Sequence, residues 1–545
     1  MSCPRGLLAA AAAMSALVAA SPAPAIDMSL RPEYLPPLDG SSPSKALAFA
    51  AGGSDLIVAA AADDRAASVL AAHRARRLTD GAWLVPADTA PTAIRRLRAI
   101  GAFRYAHPNG RVRTYASQGD PMDPSPWWMP QIGANRVTAP AAGFAVTIVD
   151  DGIDTSHREF AGRRVTFLND HDIVPLEDYH GTMLASVAAA PLDGVGVAGL
   201  YPQANLRIAD TGEGNCASIL SAVHAAVSHS PTVINMSWGF SPPMCLAIYD
   251  ELLRGLAAGS LPVSATGNFR LHYSLPSVPA IWPHVVTAGA TGLTGRVSYF
   301  SSEGMGIDIA APGESIMVAT PRWFEPRGYA EVEGTSFSAA IVSAASAWIA
   351  TRRPMHVTQL TELLRRTARN VGPPGWDEDT GYGILDLPAA LRRPLPPADP
   401  LEPNDDVNQV RTGGVFKDPA SPVTRPGLER VAFVARLDRD EDPVDVYRVY
   451  VPPQRALRFR VVPTSNVDLE VFRAKAQSCY YKNRRLAMRG TLLGGGHRAG
   501  RATENYSLTN RTNGGRYYYA CVFKPRDHTP ATASYSMTLV TGAPR

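Results

Sequence analysis

The sequence is short of long apolar runs. Beyond the first 25 residues, no stretch approaches the roughly 20 apolar residues that a membrane-spanning helix needs, so no membrane span is expected. It is short of net charge as well. The 53 Lys and Arg stand against 49 Asp and Glu, and a formal +4 over 545 residues is too little to argue for nucleic acid or an anionic membrane as partner. Cysteine is scarce, five in all. No pair has close ligand spacing with a histidine beside it, so no metal site is expected there. No internal repeat of fixed period is present, which speaks against a repeat architecture. What is present is ordinary for a globular chain: 45% hydrophobic and 19% charged residues, with material for a large core in several domains.

The N-terminus has the order of a secretory signal, residues 1–25. Arg5 supplies the positive region, Leu7 to Ala20 the apolar one, and Ala23-Pro24-Ala25 a small-x-small cleavage site before Ile26. The mature chain is therefore expected to be exported, either periplasmic or extracellular. Cys3 leaves with the signal. Of the three connectivities open to the remaining four cysteines, only Cys216–Cys245 with Cys479–Cys521 keeps each bridge within one half of the chain.

Residues 26–117 read as a small α+β unit. Asp55–Ala59, Ala82–Pro86 and Ala102–Ala106 have strand character. A helix is expected from near Pro91, with Ile94, Leu97 and Ile100 inward. The arginines Arg74, Arg76, Arg77, Arg95, Arg96 and Arg98 have no interleaved aromatics and read as a solvated face, not a nucleic-acid site. From Phe144 apolar strands alternate with helices: Ala145–Val149, Ala204–Ala209, Thr232–Met236, Leu261–Ala265, Val285–Ala288 and Ile307–Ala310. That alternation predicts a mostly parallel sheet covered on both faces, an α/β domain over 118–393. Its chemistry should collect beyond the carboxyl ends of the strands. A Pro-rich linker, 394–403, leads into 404–545, where short alternating strands such as Asp445–Val451 and Tyr517–Val522 predict an all-β sandwich.

Four places in the α/β domain carry chemistry. The first strand ends in Asp150-Asp151-Gly152. His180-Gly181-Thr182 precedes a small-residue run. Leu261–Ala265 ends in Thr266-Gly267-Asn268. Gly334-Thr335-Ser336 opens a buried helix, Ser338 to Ala350. A nucleophilic serine needs a base, an acid to orient that base, and donors for the oxyanion, and these residues supply one of each.

In those residues the chain resembles the subtilisin-like serine proteases, the subtilase family. Val146–Asp154 is similar to its aspartate motif, His180-Gly-Thr to its histidine motif, and Ile234-Asn-Met-Ser-Trp-Gly239 to its substrate-binding strand. Ala265-Thr-Gly-Asn268 is similar to its oxyanion asparagine, and Gly334-Thr-Ser336 to its nucleophile. The resemblance covers about 120–392. Residues 26–117 resemble the family's inhibitory, chaperone-like propeptides. From Glu402-Pro-Asn-Asp405 onward the chain resembles a bacterial sandwich appended to secreted peptidases.

The resemblance implies a serine endopeptidase of polypeptide substrates, made as a zymogen inhibited by its own propeptide and needing no cofactor for its chemistry. Ser336 is then the nucleophile, His180 the base, Asp150 its orienting acid, Asn268 an oxyanion donor, and Ser237, Trp238 and Gly239 the substrate strand. Asp151 gives an Asp-Asp-Gly sequence like that of the kexin-like branch, which implies a modest taste for Lys or Arg two residues before the cut. A solvated loop charge is the alternative for Asp151. The family often carries structural calcium, but the resemblance assigns no ligand here. Asp438, Asp440, Glu441, Asp442 and Asp445 lack a calcium-loop spacing and read as a solvated turn. Met183 and Ala340 depart from the family pattern, which often has histidine and proline there. Two further readings of the same residues are a silent binding protein on a subtilase shell and an acyl-transferring peptide cyclase.

Overall fold

The structure is a computed structural model describing residues 55–109, 113–114, 117–119 and 126–544, except 172, 176, 194–195, 241–244, 271–276, 305, 419–420, 439–441, 480–490 and 526–531. The expected signal, residues 26–54 and most of the segment 110–125 lie outside the described residues, as do Asp440 and Glu441.

The first unit is a four-stranded antiparallel sheet. Its strands are β1 (Leu56–Ala60), β2 (Arg76–Arg77), β3 (Ala82–Val85) and β4 (Phe103–Pro108), in the order β2-β3-β1-β4. Helices Asp64–Ala71 and Ala90–Ala99 cover one face. The second helix is the expected one, with Ile94 and Leu97 fully buried. The first does not stand out in the sequence, because Ala-rich Asp64–Ala71 buries only Ala66 and Leu70. The opposite sheet face, through Ile57, Ala59 and Tyr105, joins an apolar cluster with two helices of the next domain.

Two short strands follow, β5 (Arg113–Thr114) and β6 (Ser117–Gly119). The α/β domain then places β7 (Ala145–Asp150), β8 (Val165–Phe167), β9 (Asn205–Asp210), β10 (Thr232–Met236), β12 (Leu261–Ala265), β13 (Val286–Thr291) and β14 (Ile309–Pro312) in one sheet. The order is β14-β13-β12-β10-β7-β9-β8, and every neighbouring pair is parallel. The central strands are buried because both faces are covered, whereas the edge strand β8 is largely exposed. Helices His180–Ala189 and Thr335–Arg352 pack on one face, Cys216–Ser228 and Leu246–Ala257 on the other. The strand order reverses between β7 and β10, so the crevice at their carboxyl ends is the switch point of the sheet. Outside it, β11 (Trp238–Gly239) continues from β10, and β15 (Ile316–Ala319) pairs with β16 (Tyr329–Glu333).

The C-terminal part is a sandwich of two antiparallel sheets. β17 (Arg430–Asp438), β24 (Thr532–Gly542), β19 (Arg455–Pro463) and β22 (Glu504–Asn510) form one. β18 (Val444–Val451), β23 (Arg516–Phe523), β20 (Asp468–Arg473) and β21 (Leu492–Gly496) form the other. Their inner faces share one core that includes Tyr447, Val449, Phe459, Val522 and Leu539. The fold class is thus an α/β parallel-sheet domain with an α+β unit before it and a β-sandwich after it. The solvated-turn reading of the acidic run near 438–445 is corrected: Asp438 and Asp445 are 6% and 0% exposed, because the turn faces the α/β domain instead of water. No helix among the described residues is long and apolar enough to cross a membrane.

Candidate active site

The site is assembled at the switch point. Asp150 is the last residue of β7 and His180 the first of its helix, and both are 1% exposed. His180 Nδ1 donates to Asp150 Oδ1 at 2.8 Å. That bond fixes the tautomer and leaves the Nε2 lone pair forward; among the described residues Nε2 has no hydrogen-bond partner. Burial disfavours the imidazolium, but the charge of Asp150, its hydrogen bond and the charge of Asp151 outweigh it, and the His180 pKa is raised. Gly181 has no room for a side chain, since a Cβ would lie 2.1 Å from the Gly152 carbonyl oxygen. The His-Gly pair is therefore a packing requirement of the β7 end against this helix.

Ser336 is not the cap of its helix. Gly334 is the cap and Thr335 the first helical residue, so Ser336 lies within the first turn, where a backbone N–H has no helical carbonyl four residues back. The ring of His180 lies 6.2 Å from that of Phe337, the next residue. Ser336 Oγ donates to the Ser237 carbonyl at 3.4 Å, and Ser237 Oγ donates back to the Ser336 carbonyl at 3.0 Å. Asn235 Nδ2 donates to Ser237 Oγ, and Ser343 Oγ to Asn235 Oδ1, both at 3.0 Å. This buried chain ties the β10–β11 strand to the serine helix.

Asn268, just past β12, has its amide oxygen doubly held. The Thr335 N–H donates to Oδ1 at 3.0 Å and the Thr335 hydroxyl at 2.8 Å. The Nδ2 end is thereby turned the other way as a donor. The place of Thr335 beside Ser336 is visible in the sequence, but its bond to a residue 67 positions earlier is not.

Asp151 is not a solvated loop charge. Its Oδ2 accepts the N–H groups of Tyr179 (3.0 Å) and His180 (2.9 Å), and its Oδ1 that of Gly181 (2.5 Å). It caps the histidine helix. Burial and the neighbouring Asp150 charge push its carboxyl up to about 7, against the helix N–H groups that favour the anion. Met183 and Ala340, the two departures, are both buried in the domain core at 1% and 0% exposure. His224 is held by Glu251 at 2.8 Å and is no ligand of the site.

The sequence model of the subtilase family matches residues 141–383. Subtilisin E of Bacillus subtilis (strain 168) is 30% identical over 277 residues, covering 48% of this chain and 71% of that protein. The chain belongs to the subtilase family. It is accordingly a serine-type endopeptidase of polypeptides. Fervidolysin of Fervidobacterium pennivorans is 28% identical over 348 residues, covering 56% of this subtilase and 49% of fervidolysin. The crystal structure of fervidolysin, described as a keratinolytic enzyme related to subtilisin, shares the fold with a TM-score of 0.54 at 19% identity, over 84% of this subtilase and 85% of that chain.

The subtilase's cysteines pair as Cys216–Cys245 and Cys479–Cys521, with Cα–Cα distances of 5.4 and 6.3 Å.

Proposed function

We propose that this subtilase is an exported endopeptidase made as a zymogen, acting through Asp150, His180 and Ser336. Ser336 Oγ adds to the peptide carbonyl while His180 Nε2 takes its proton and then returns it to the leaving amine. Asp150 holds the imidazole and balances its charge. The Asn268 Nδ2 and the Ser336 N–H receive the oxyanion. Water then cleaves the acyl-enzyme by the same proton route in reverse.

The observation that carries this reading is strand pairing. β11 pairs antiparallel with β5, Trp238 opposite Thr114 and Gly239 opposite Arg113. β6 pairs with β16, Glu331 opposite Gly119 and Glu333 opposite Ser117. The chain's own segments 113–114 and 117–119 thus lie along the strands that flank Ser336, as an extended substrate would. The preceding unit is docked by Arg104 on Asp250 at 2.7 Å and by Tyr105 on the Leu246 carbonyl at 3.1 Å. We read 26–117 as the propeptide, 118–393 as the peptidase domain and 404–545 as the appended sandwich.

A fluorophosphonate probe tests the assignment. Processed wild type should be labelled and Ser336→Ala not. Absence of labelling in processed wild type would favour a silent binding protein, and ligated products from peptide substrates would favour a cyclase.

A further inference from the structure

The sandwich touches the unit that precedes the peptidase domain. The short helix Val407–Val410 is built into the sandwich, where Val407 and Val410 share a cluster with Val446, Phe472 and Tyr519. The strap after it, 411–416, is tied back to the same body. Arg411 Nε donates to Asn408 Oδ1 at 3.1 Å and its Nη1 to Gln477 Oε1 at 2.8 Å. Arg448 of β18 donates to the Thr412 hydroxyl at 3.3 Å, and the Val415 N–H to the Asn408 carbonyl at 2.8 Å.

The strap meets two domains at once. Val415, 2% exposed, shares one apolar cluster with Leu252 and Leu253 of the peptidase helix Leu246–Ala257 and with Ile57, Leu78 and Ala82 of the preceding unit. Arg254 of that helix donates to the Val415 carbonyl through Nε at 3.1 Å and Nη2 at 2.8 Å, and to the Thr79 hydroxyl through Nη1 at 3.4 Å. Glu251 holds the same guanidinium at 2.5 Å. Gly81, in the β2–β3 turn with Thr79, comes so close that a Cβ there would lie 2.7 Å from Arg254 Nη2. On the strap, a Cβ at Gly413 would lie 4.0 Å from the Ala61 Cβ, just past β1. Arg411 stands near Arg104 of β4: burial first, and then the Arg104 charge, lower the Arg411 pKa.

We propose that the strap 411–416 is a second seat for the propeptide, so that the sandwich, together with the helix Leu246–Ala257, sets how long the cleaved propeptide stays on the enzyme. The inference rests on the reading of the preceding unit as propeptide and gives the sandwich a part in activation. The strap contributes in two ways. Its Val415 carbonyl, with Glu251, holds Arg254 in the pose that meets Thr79, so the guanidinium is already fixed when the turn 79–81 docks. Its apolar contact adds surface that departure of the propeptide returns to water, and that cost falls on the sandwich as well as on the peptidase domain.

The test uses the full chain, left to cut itself. It reads the cleaved segment that stays with the enzyme on a sizing column, and the half-time for activity to appear after dilution. Wild type should retain the segment and gain activity with a delay. Immediate full activity with no retained segment would overturn the propeptide reading, and this inference with it. Gly413→Arg puts a long side chain at the contact with Ala61 and a third positive charge beside Arg104 and Arg411. It should shorten the half-time by about tenfold, with kcat/KM and Tm of the released enzyme unchanged. Gly413→Ala bears the same cost of a side chain at φ +69° but makes only an ordinary contact, and should keep the wild-type half-time. An unchanged half-time in Gly413→Arg, or an equal shortening in both variants, would overturn the seat and leave the propeptide reading intact. Should Gly413→Arg not fold, Ala61→Cys/Gly413→Cys decides, since 4.0 Å lies within the Cβ separation of a disulfide. Oxidised with glutathione disulfide, the self-cut double variant should carry its propeptide covalently and stay inactive until the bridge is reduced. Folded, self-cut protein without that crosslink would overturn the seat.

Discussion

Asp151 Oδ2 accepts the backbone N–H of His180 at 2.9 Å, so the residue after the orienting acid holds the main chain of the base while Asp150 holds its ring. Two adjacent carboxylates at the end of β7 thereby fix one histidine from two sides. The second carboxylate is spent on the helix N-terminus, where an anion is favoured by unpaired N–H groups and the helix dipole.

The pH profile should report this arrangement. The His180 pKa is raised, so its neutral, proton-accepting form is lost as pH falls through a value above the ordinary 6.5. Asp151, at about 7, ionises over the same range, so the acid limb of kcat/KM belongs to the coupled groups. Asp151→Asn removes a charge that raises His180 and should move that limb to lower pH. Asp151→Ala also removes the cap and should cut kcat by about tenfold at the optimum, with KM little changed. An unmoved limb, with a selective loss on peptides bearing Lys two residues before the cut, would instead make Asp151 a specificity residue.

The register of β5 on β11 predicts the site of self-cleavage. Gly239 pairs with Arg113 and Trp238 with Thr114, so the described pairing ends one residue short of Ser237. Ser237 is the residue whose carbonyl accepts from Ser336 Oγ. Cleavage after Tyr115 is expected, which sets the end of the propeptide at 115, two residues before the boundary read from the sequence, and gives a mature N-terminus at Ala116. N-terminal sequencing of processed protein checks this, and Ser336→Ala should remain unprocessed.

Much of the site was legible because its residues end apolar strands or open a helix of small residues, patterns that survive without coordinates. Asp150, His180, Asn268 and Ser336 were found that way. The remainder depends on where side chains turn. Asp151 was visible as a charge beside Asp150, but not as a cap on a helix 29 residues later. Thr335 was visible as part of a motif, but not as the clamp on Asn268. The acids at 399–405 sit at the end of a Pro-rich linker and the start of the sandwich, and those at 442–445 in a turn that reads as solvated. Only the docking of two domains buries them together. β21, Leu-Leu-Gly-Gly-Gly, lacks any strand propensity and forms because β20 offers it an edge.

Thr335 should act on catalysis through Asn268. Its hydroxyl donates to Asn268 Oδ1 and accepts from the Gly267 N–H at 3.1 Å, so it fixes the direction of the donor end. Thr335→Val keeps the shape and loses both bonds. At about 1 kcal/mol for each lost bond, kcat should fall by about 10- to 30-fold with KM nearly constant. Thr335→Ser should restore most of it. A rise in KM at unchanged kcat would mean that Thr335 shapes substrate binding and not the oxyanion site.

The Cys216–Cys245 bridge should matter for zymogen control more than for catalysis. It joins the starts of two helices whose N-termini are capped by the preceding unit. Asn109 Oδ1 accepts the Ala217 N–H at 2.6 Å, and the His107 ring nitrogens lie 3.2 Å from the Cys245 and Ala247 N–H groups. The bridge holds the two helix starts at a Cα–Cα distance of 5.4 Å, so the end of β4 and the residue after it meet both. Closing a loop of 29 residues is worth about 3–4 kcal/mol of stability in the chain-entropy view. Cys216→Ser/Cys245→Ser should lose about that in denaturant unfolding. It should also weaken inhibition by the separately added 26–115 segment by about tenfold, because the two capped ends no longer stay in register. Cys479→Ser/Cys521→Ser, whose bridge lies in the sandwich, should lower stability without changing that inhibition. If both pairs of substitutions left inhibition equal to wild type, the bridge would be a stabiliser of the fold alone.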